Sequence, residues 1–349
     1  MIRVLIVDDS PLICSILSEV LNGASDISVV GVAEDPVDAR QKIKELKPDV
    51  LTLDVEMPKM DGITFLKNLM RLHPMPVVMI STLTEQGADI TMKALSLGAV
   101  DYLAKPTGSQ DGNLAEYSLD IINKVRAAAM ANVDNARPII KKPKMPAANH
   151  SSYLPMSNYL VAIGASTGGV EAIKELVSTI PERCPPIVIV QHIPPAFSKS
   201  YADRLNREFA PQVQEVGDNQ AILPGNIYIA PGDFHLTLAK DRSGQLFSKL
   251  NQSERVRRHR PSVDVLFESV ASVMGGRCCA ALLTGMGDDG AHGLLKLKEA
   301  GAYTIIQDKA TSVVWGMPGV ASKLNAHCIE LPLDKITNAL LTKSSKRVA

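Results

Sequence analysis

Aromatic side chains are scarce in this sequence: 4% of 349 residues, with a single tryptophan. Any packed interior must therefore be aliphatic, and a hydrophobic content of 46% supplies enough material for one. Net charge is absent as well. The 37 Lys and Arg balance 37 Asp and Glu, so no overall basic field draws nucleic acid. No apolar run approaches the roughly 18 residues of a membrane span. The run at 2–7 leads straight into Asp8-Asp9 and is too short for a secretory leader. The five cysteines, Cys14, Cys184, Cys278, Cys279 and Cys328, form no C-x-x-C pair. That pattern speaks against a disulfide framework or a zinc site and predicts reduced thiols in a cytoplasmic protein.

The length suits two domains. Between them, residues 126–157 carry Pro138, Pro143, Pro146 and Pro155. Five basic residues there face one acid, Asp134. This reads as a mobile, basic linker. Before it, aliphatic strands at 2–7, 28–33, 50–53, 77–80 and 100–103 alternate with amphipathic helices such as 11–22 and 63–72. Five strand–helix units predict a parallel (βα)5 domain over residues 1–125. After it, strands at 159–163, 187–191, 279–283 and 304–307 alternate with helices at 169–180, 197–209, 261–274 and 290–300. That predicts a doubly wound α/β domain over 158–345. Residues 226–250 break the alternation and read as a β-hairpin insertion with turns at Pro231-Gly232 and Arg242-Ser243-Gly244.

In the first domain Asp8, Asp9 and Asp54 fall at strand ends, where open α/β sheets bind ligands. Their oxygens suit Mg²⁺. Ser81, with Thr82 beside it, and Lys105 occupy the next two strand ends. Each acid alone is an ordinary loop or N-cap residue. Together they point to phosphoryl transfer onto a carboxylate, with Asp54 as nucleophile and Lys105 as a fixed positive charge.

In the second domain, Gly164-Ala165-Ser166-Thr167-Gly168-Gly169 links a strand to a helix. It fits a G-x-S-x-G nucleophile elbow and equally a dinucleotide phosphate loop. A dinucleotide site needs an acid at the end of the second strand. That strand ends instead in His192, suited to act as base for Ser166. A further strand end carries Met286-Gly287-Asp288-Asp289-Gly290, which offers the orienting acid. The residues alone leave Asp288 and Asp289 open. Thr167 is either a simple helix-start residue or a hydrogen-bond partner near His192. His235 is a candidate cleft residue, and His259, inside RVRRHR, reads as a surface residue. Ser262 lacks a glycine elbow. Arg255, Arg257, Arg258 and Arg260 form either a solvated loop or a dock for an acidic substrate.

Two resemblances stand on these motifs. IVDDS, LDVEMPKMDG, VVMIS and AKP resemble response-regulator receiver domains. This implies Asp54 as phosphoacceptor, with Asp8, Asp9 and the Glu56 carbonyl around Mg²⁺. It also implies Ser81 as the hydroxyl that follows the phosphate, Tyr102 as an aromatic switch, and a histidine kinase as phosphodonor. GASTGG, VQHIPP, YIAPGD, RHRPSVDVLF, LLTGMGDDG and VVWGMP resemble the catalytic domain of bacterial chemotaxis protein-glutamate methylesterases. The family often has G-M-G-N-D-G where this chain has two aspartates, which favours Asp289. Together the resemblances imply a phosphorylation-activated hydrolase with Ser166, His192 and Asp289 as its triad. The Met286 N–H is the oxyanion donor by resemblance and by position. The implied substrates are glutamate methyl esters, and glutamine amides, of methyl-accepting chemoreceptors; no cofactor is expected for hydrolysis. The architecture predicts a monomer whose free receiver covers the Ser166 cleft until phosphorylation. The competing readings are a nucleotide-sensing output domain and a transcription factor, although no helix-turn-helix segment is present.

Overall fold

The computed structural model describes residues 1–58, 60–81, 85–105, 114–136 and 155–345. Thr82 and most of the expected linker lie outside these residues. The chain divides into two compact units, Met1–Ile139 and Ile140–Ala349.

The first unit runs β1 (Ile2–Val7), α1 (Pro11–Asn22), β2 (Ile27–Ala33), α2 (Pro36–Leu46), β3 (Val50–Asp54), α3 (Gly62–Leu72), β4 (Val77–Ser81), α4 (Glu85–Ser96), β5 (Asp101–Ala104), α5 (Leu114–Ala129) and the single turn α6 (Val133–Ala136). Its sheet is parallel, in the order β2-β1-β3-β4-β5. β3 and β4 are buried along their whole length, as strands covered on both faces should be. Ser10, Asp35 and Asp61 cap α1, α2 and α3 through their side chains, and proline follows the first two at the helix start. The winding reverses between β1 and β3, which opens a crevice at their carboxyl ends. The expected start of the linker, Arg126, lies inside α5 and bonds Asp26 at 2.9 and 2.6 Å.

The second unit runs β6 (Leu160–Ala165), α7 (Gly169–Ser178), β7 (Ile187–Gln191), α8 (Pro195–Glu208), β8 (Gln212–Glu215), β9 (Asn226–Ile229), β10 (His235–Lys240), β11 (Leu246–Asn251), α9 (Val263–Met274), β12 (Cys278–Leu282), α10 (Ala291–Glu299), β13 (Tyr303–Gln307), α11 (Met317–Lys323), β14 (Ile329–Leu331) and α12 (Leu333–Lys343). Seven strands form one sheet in the order β14-β13-β12-β6-β7-β9-β8. Every pair in it is parallel. The winding reverses between β6 and β12, so the ligand crevice lies over their carboxyl ends. The core is aliphatic, and its largest buried aromatic residues are Tyr201, Tyr228, Phe197 and Phe267.

The insertion differs from expectation. Only β10 and β11 form an antiparallel hairpin. β9 joins the main sheet between β7 and β8, because its NIYI run is nearly all buried. Pro231-Gly232 is a close crossing and not a hairpin turn: a Cβ on Gly232 would lie 2.3 Å from the Pro195 nitrogen. The sheet also gains β8 and β14, whose QVQE and IEL sequences carry no aliphatic run. All five cysteines are free thiols.

Candidate active site

Ser166 follows β6 directly, and the chain then turns through Gly168 at φ 78° into α7. An L side chain seldom adopts that conformation, which glycine takes freely. The Ser166 N–H donates to Thr284 O at 3.0 Å, and Gly169 N–H donates to Ser166 O at 2.7 Å. The elbow is thereby held from both sides. His192 follows β7, and Asp289 lies in the loop after β12.

Tertiary folding brings these three together. His192 Nδ1 lies 3.0 Å from Ser166 Oγ. His192 Nε2 lies 2.7 Å from Asp289 Oδ2. An ionised carboxylate only accepts hydrogen bonds, so Nε2 carries the proton and Nδ1 presents its lone pair to the serine. The nitrogens are exchanged relative to chymotrypsin-type triads, with the serine on Nδ1 and the carboxylate on Nε2.

Asp289 is 1% exposed and sits on the N-terminus of α9. It accepts from Ser262 Oγ at 2.7 Å, Val263 N at 2.7 Å and Asp264 N at 3.1 Å. Burial pushes its carboxyl up, yet the hydrogen bond and charge of His192, with the Val263 and Ser262 donors, hold it below the usual range. Asp289 therefore stays ionised and orients His192 without taking its proton. Asp288 points elsewhere and pairs with Arg257 at 2.7 Å.

Met286 lies between Gly285 and Gly287. Among the described residues no acceptor engages its N–H. Gly316 and Met317 both donate to Gly285 O, at 3.0 and 2.8 Å, and so fix the loop. A Cβ on Gly285 would lie 2.8 Å from Ser166 Cβ, so only glycine admits the loop this close to Ser166. Thr167 is buried, and its carbonyl accepts from Thr284 Oγ1 at 2.9 Å.

Several further residues surround the three. Gln191 Nε2 donates to both Ser166 O (3.0 Å) and His192 O (3.2 Å). Ser262 caps α9 and bonds Asp289. His259 is not a plain surface residue; its ring stacks on that of His192. His235 is fully buried behind the site, bonding Glu254 O and Ser262 N. The sequence marks His235 as a cleft candidate, and Gln191 and Ser262 stand next to strand and helix ends; nothing in it marks the His259 stack.

The receiver unit holds a second cluster. Carboxylate oxygens of Asp8, Asp9 and Asp54 all lie within 4.8 Å of one another. Lys105 Nζ is 2.7 Å from Asp54 Oδ2 and 3.3 Å from Asp8 Oδ2. Burial pushes the Asp54 carboxyl up to about 6; Lys105 opposes this and the Asp8 charge adds to it. Burial also raises Asp8. Asp8 Oδ2 is buried without an aligned hydrogen-bond donor. Three hard acid oxygens gathered at the strand ends, one of them buried with only the Lys105 charge near it, fit a small divalent cation such as Mg²⁺. The Glu56 backbone N–H bonds Asp54. Gly62 permits α3 to begin against Asp54, where a Cβ would fall 1.9 Å from Asp54 O. Ser81 ends β4 one residue beyond Ile80, the register partner of Asp54. Tyr102 is buried in β5 with the Lys124 ammonium 4.7 Å from its ring centre.

The two units match two known families. Residues 161–340 match the CheB methylesterase family and residues 4–115 the response regulator receiver domain. A protein-glutamate methylesterase/protein-glutamine glutaminase of Saccharophagus degradans is 51% identical over 347 residues, 99% of both chains. One from Hahella chejuensis is 51% identical over 342 residues, covering 96% of this chain and 94% of that one. The CheB methylesterase catalytic domain of Thermotoga maritima has a solved structure that is 39% identical, with a TM-score of 0.52. It covers 54% of this chain and 99% of its own. A triad at three strand ends, a receiver's acidic cluster and end-to-end similarity agree: the chain belongs to the CheB methylesterase family, joined to a response regulator receiver domain.

Proposed function

We propose that this chain hydrolyses the side-chain methyl esters of glutamates in methyl-accepting chemoreceptors, and the side-chain amides of particular glutamines, under control of phosphorylation at Asp54. The observation that carries the reading is His192 bridging Ser166 and Asp289 at 3.0 and 2.7 Å.

Ser166 Oγ attacks the ester carbonyl as its proton passes to His192 Nδ1. The tetrahedral oxyanion lies toward the Met286 N–H, and one such donor supplies about 3 kcal/mol of barrier lowering. Asp289 stabilises the imidazolium and keeps the tautomer. His192 then returns the proton to the departing methoxide, and methanol leaves. Water, deprotonated by His192, attacks the acyl-serine, and carboxylate and serine are restored. With a glutamine side chain the same sequence releases ammonia.

In the receiver unit Asp54 is the phosphoacceptor for a histidine kinase. Asp8, Asp9, Asp54 and the Glu56 carbonyl would hold Mg²⁺, which when bound neutralises phosphoryl oxygens. Lys105 supplies a second fixed positive charge, Ser81 follows the phosphate, and Tyr102 reports the change. The unit from β1 through α5 and α6 acts as the receiver, and the unit from β6 to α12 as the esterase. No helix among the described residues is long and apolar enough to cross a membrane; we place the protein in the cytoplasm as a monomer acting on membrane-bound receptors.

The test is methanol release from methylated receptor, with and without a small-molecule phosphodonor and Mg²⁺. Stimulated release that vanishes in Ser166→Ala supports both halves. Release indifferent to the phosphodonor removes the switch, and no release from folded protein removes the esterase.

A further inference from the structure

His192 is gripped at both ring nitrogens, and one face of its ring is also covered. The imidazole of His259 lies over it with centroids 3.6 Å apart and planes 14° from parallel. The chain around His259 is built to put it there. Val256 and His259 close a tight turn by reciprocal backbone hydrogen bonds of 3.1 and 2.9 Å. Between them Arg257 and Arg258 adopt left-handed φ values of 52° and 70°. Residues with side chains seldom take that conformation. Such backbone persists where its surroundings over-determine it.

Those surroundings are ion pairs on both sides of the turn. Arg257 reaches Asp288 at 2.7 Å and Asp264 at 3.6 Å. Arg260 grips Asp233 through Nε at 3.0 Å and Nη2 at 2.7 Å. Its Nη1 donates to the carbonyls of Gln252 and Ser253 at 2.9 and 3.0 Å. Two guanidinium groups of this basic cluster are thus occupied in bracing a loop, which argues against the cluster being mainly an electrostatic dock.

We infer that loop 255–260 is a brace that sets His259 against the face of His192, and that His259 is a positioning residue for the hydrolysis. The inference rests on the hydrolase reading above. Rotation of the His192 ring would break its contacts to Ser166 and Asp289 together, and the stacked ring opposes that rotation. A ring held in this plane keeps Nδ1 aimed at Ser166 Oγ while the proton passes, and orientation of this kind lowers the barrier.

The experiment uses the full chain and two readouts: the rate at which a fluorophosphonate labels Ser166, and methanol release from methylated receptor. His259→Ala should slow labelling about tenfold. It should lower kcat for release by a similar factor, with KM little changed. His259→Phe, which keeps a flat ring, should restore both. The downfield proton resonance of His192 Nε2–H should broaden in His259→Ala and stay sharp in His259→Phe. Wild-type labelling rates in His259→Ala, or a His259→Phe variant as slow as His259→Ala, would overturn the proposal. If the wild type releases no methanol while labelling still follows the expected pattern, the substrate reading fails and the positioning role stands.

Discussion

Ser262 donates its hydroxyl to Asp289 Oδ1 across 2.7 Å, at the first turn of the helix it caps. Asp289 is therefore seated on the N-terminus of α9 as well as on His192. A carboxylate at a helix N-terminus gains from the unpaired N–H groups and the helix dipole. Ser262→Ala removes an N-cap and a hydrogen bond to a buried charge, and should destabilise the catalytic unit by roughly 1.5–3 kcal/mol. Urea unfolding monitored in that unit checks this; an unmoved midpoint would show that the cap contributes nothing.

Asp289→Asn and Asp288→Asn should part widely. The first deprives His192 of its anion and its tautomer, and kcat should fall by about 10⁴. The second breaks a half-exposed ion pair with Arg257, a kind of interaction worth about 1 kcal/mol or less. Its activity should stay within several-fold of wild type. Equal losses in methanol release would refute the assignment of Asp289.

Gln191→Glu replaces the amide that binds the Ser166 and His192 carbonyls with a group that accepts only. Two carbonyls would lose their donor and face a buried oxygen, each at a cost of about 1–3 kcal/mol. Thermal unfolding and Ser166 labelling should both suffer. Unchanged labelling would mean that the amide does not position the pair.

The Asp54 carboxyl, raised to about 6 by burial and by Asp8, makes the receiver pH-sensitive. Its folded value lies above the unfolded value of 3.8. The folded state thus holds this proton more tightly, and that contribution to stability, full below the unfolded value, is lost as pH rises through about 6. Cation binding competes with the same proton. Mg²⁺ should therefore raise the receiver's melting temperature clearly at pH 7.5 and little at pH 5. Calorimetry at the two pH values decides; equal shifts would mean that Asp54 does not bind the ion.

Gly62→Ala would drive a Cβ to 1.9 Å from Asp54 O. Phosphodonor stimulation should be lost while fluorophosphonate labelling of Ser166 proceeds at the unstimulated rate. Preserved stimulation would show that the start of α3 can shift without consequence.

Much of this molecule was readable along the chain. Parallel α/β sheets gather their loops at the carboxyl ends of strands, so Ser166, His192, Asp8, Asp9 and Asp54 could be placed from the alternation of short aliphatic runs and helices alone. Glycines at the elbow and caps at helix starts are local features, set by a few neighbouring residues. The polar edge strands β8 and β14 left no such trace, because an edge needs little apolar surface and is defined by its neighbour. The membership of β9 in the main sheet likewise depended on which side of β7 was open. At the site, sequence spacing offered two adjacent aspartates with the same chemistry. Only the packing of α9 against the loop after β12 turned Asp289 inward and left Asp288 to Arg257. The orientation of the His192 ring, the Gln191 bridge and the His259 stack span 25 to 97 residues in the case of the first two, and 67 for the last. Contacts at such separations follow from the assembled sheet, since no local propensity encodes which distant side chain will fill a given face.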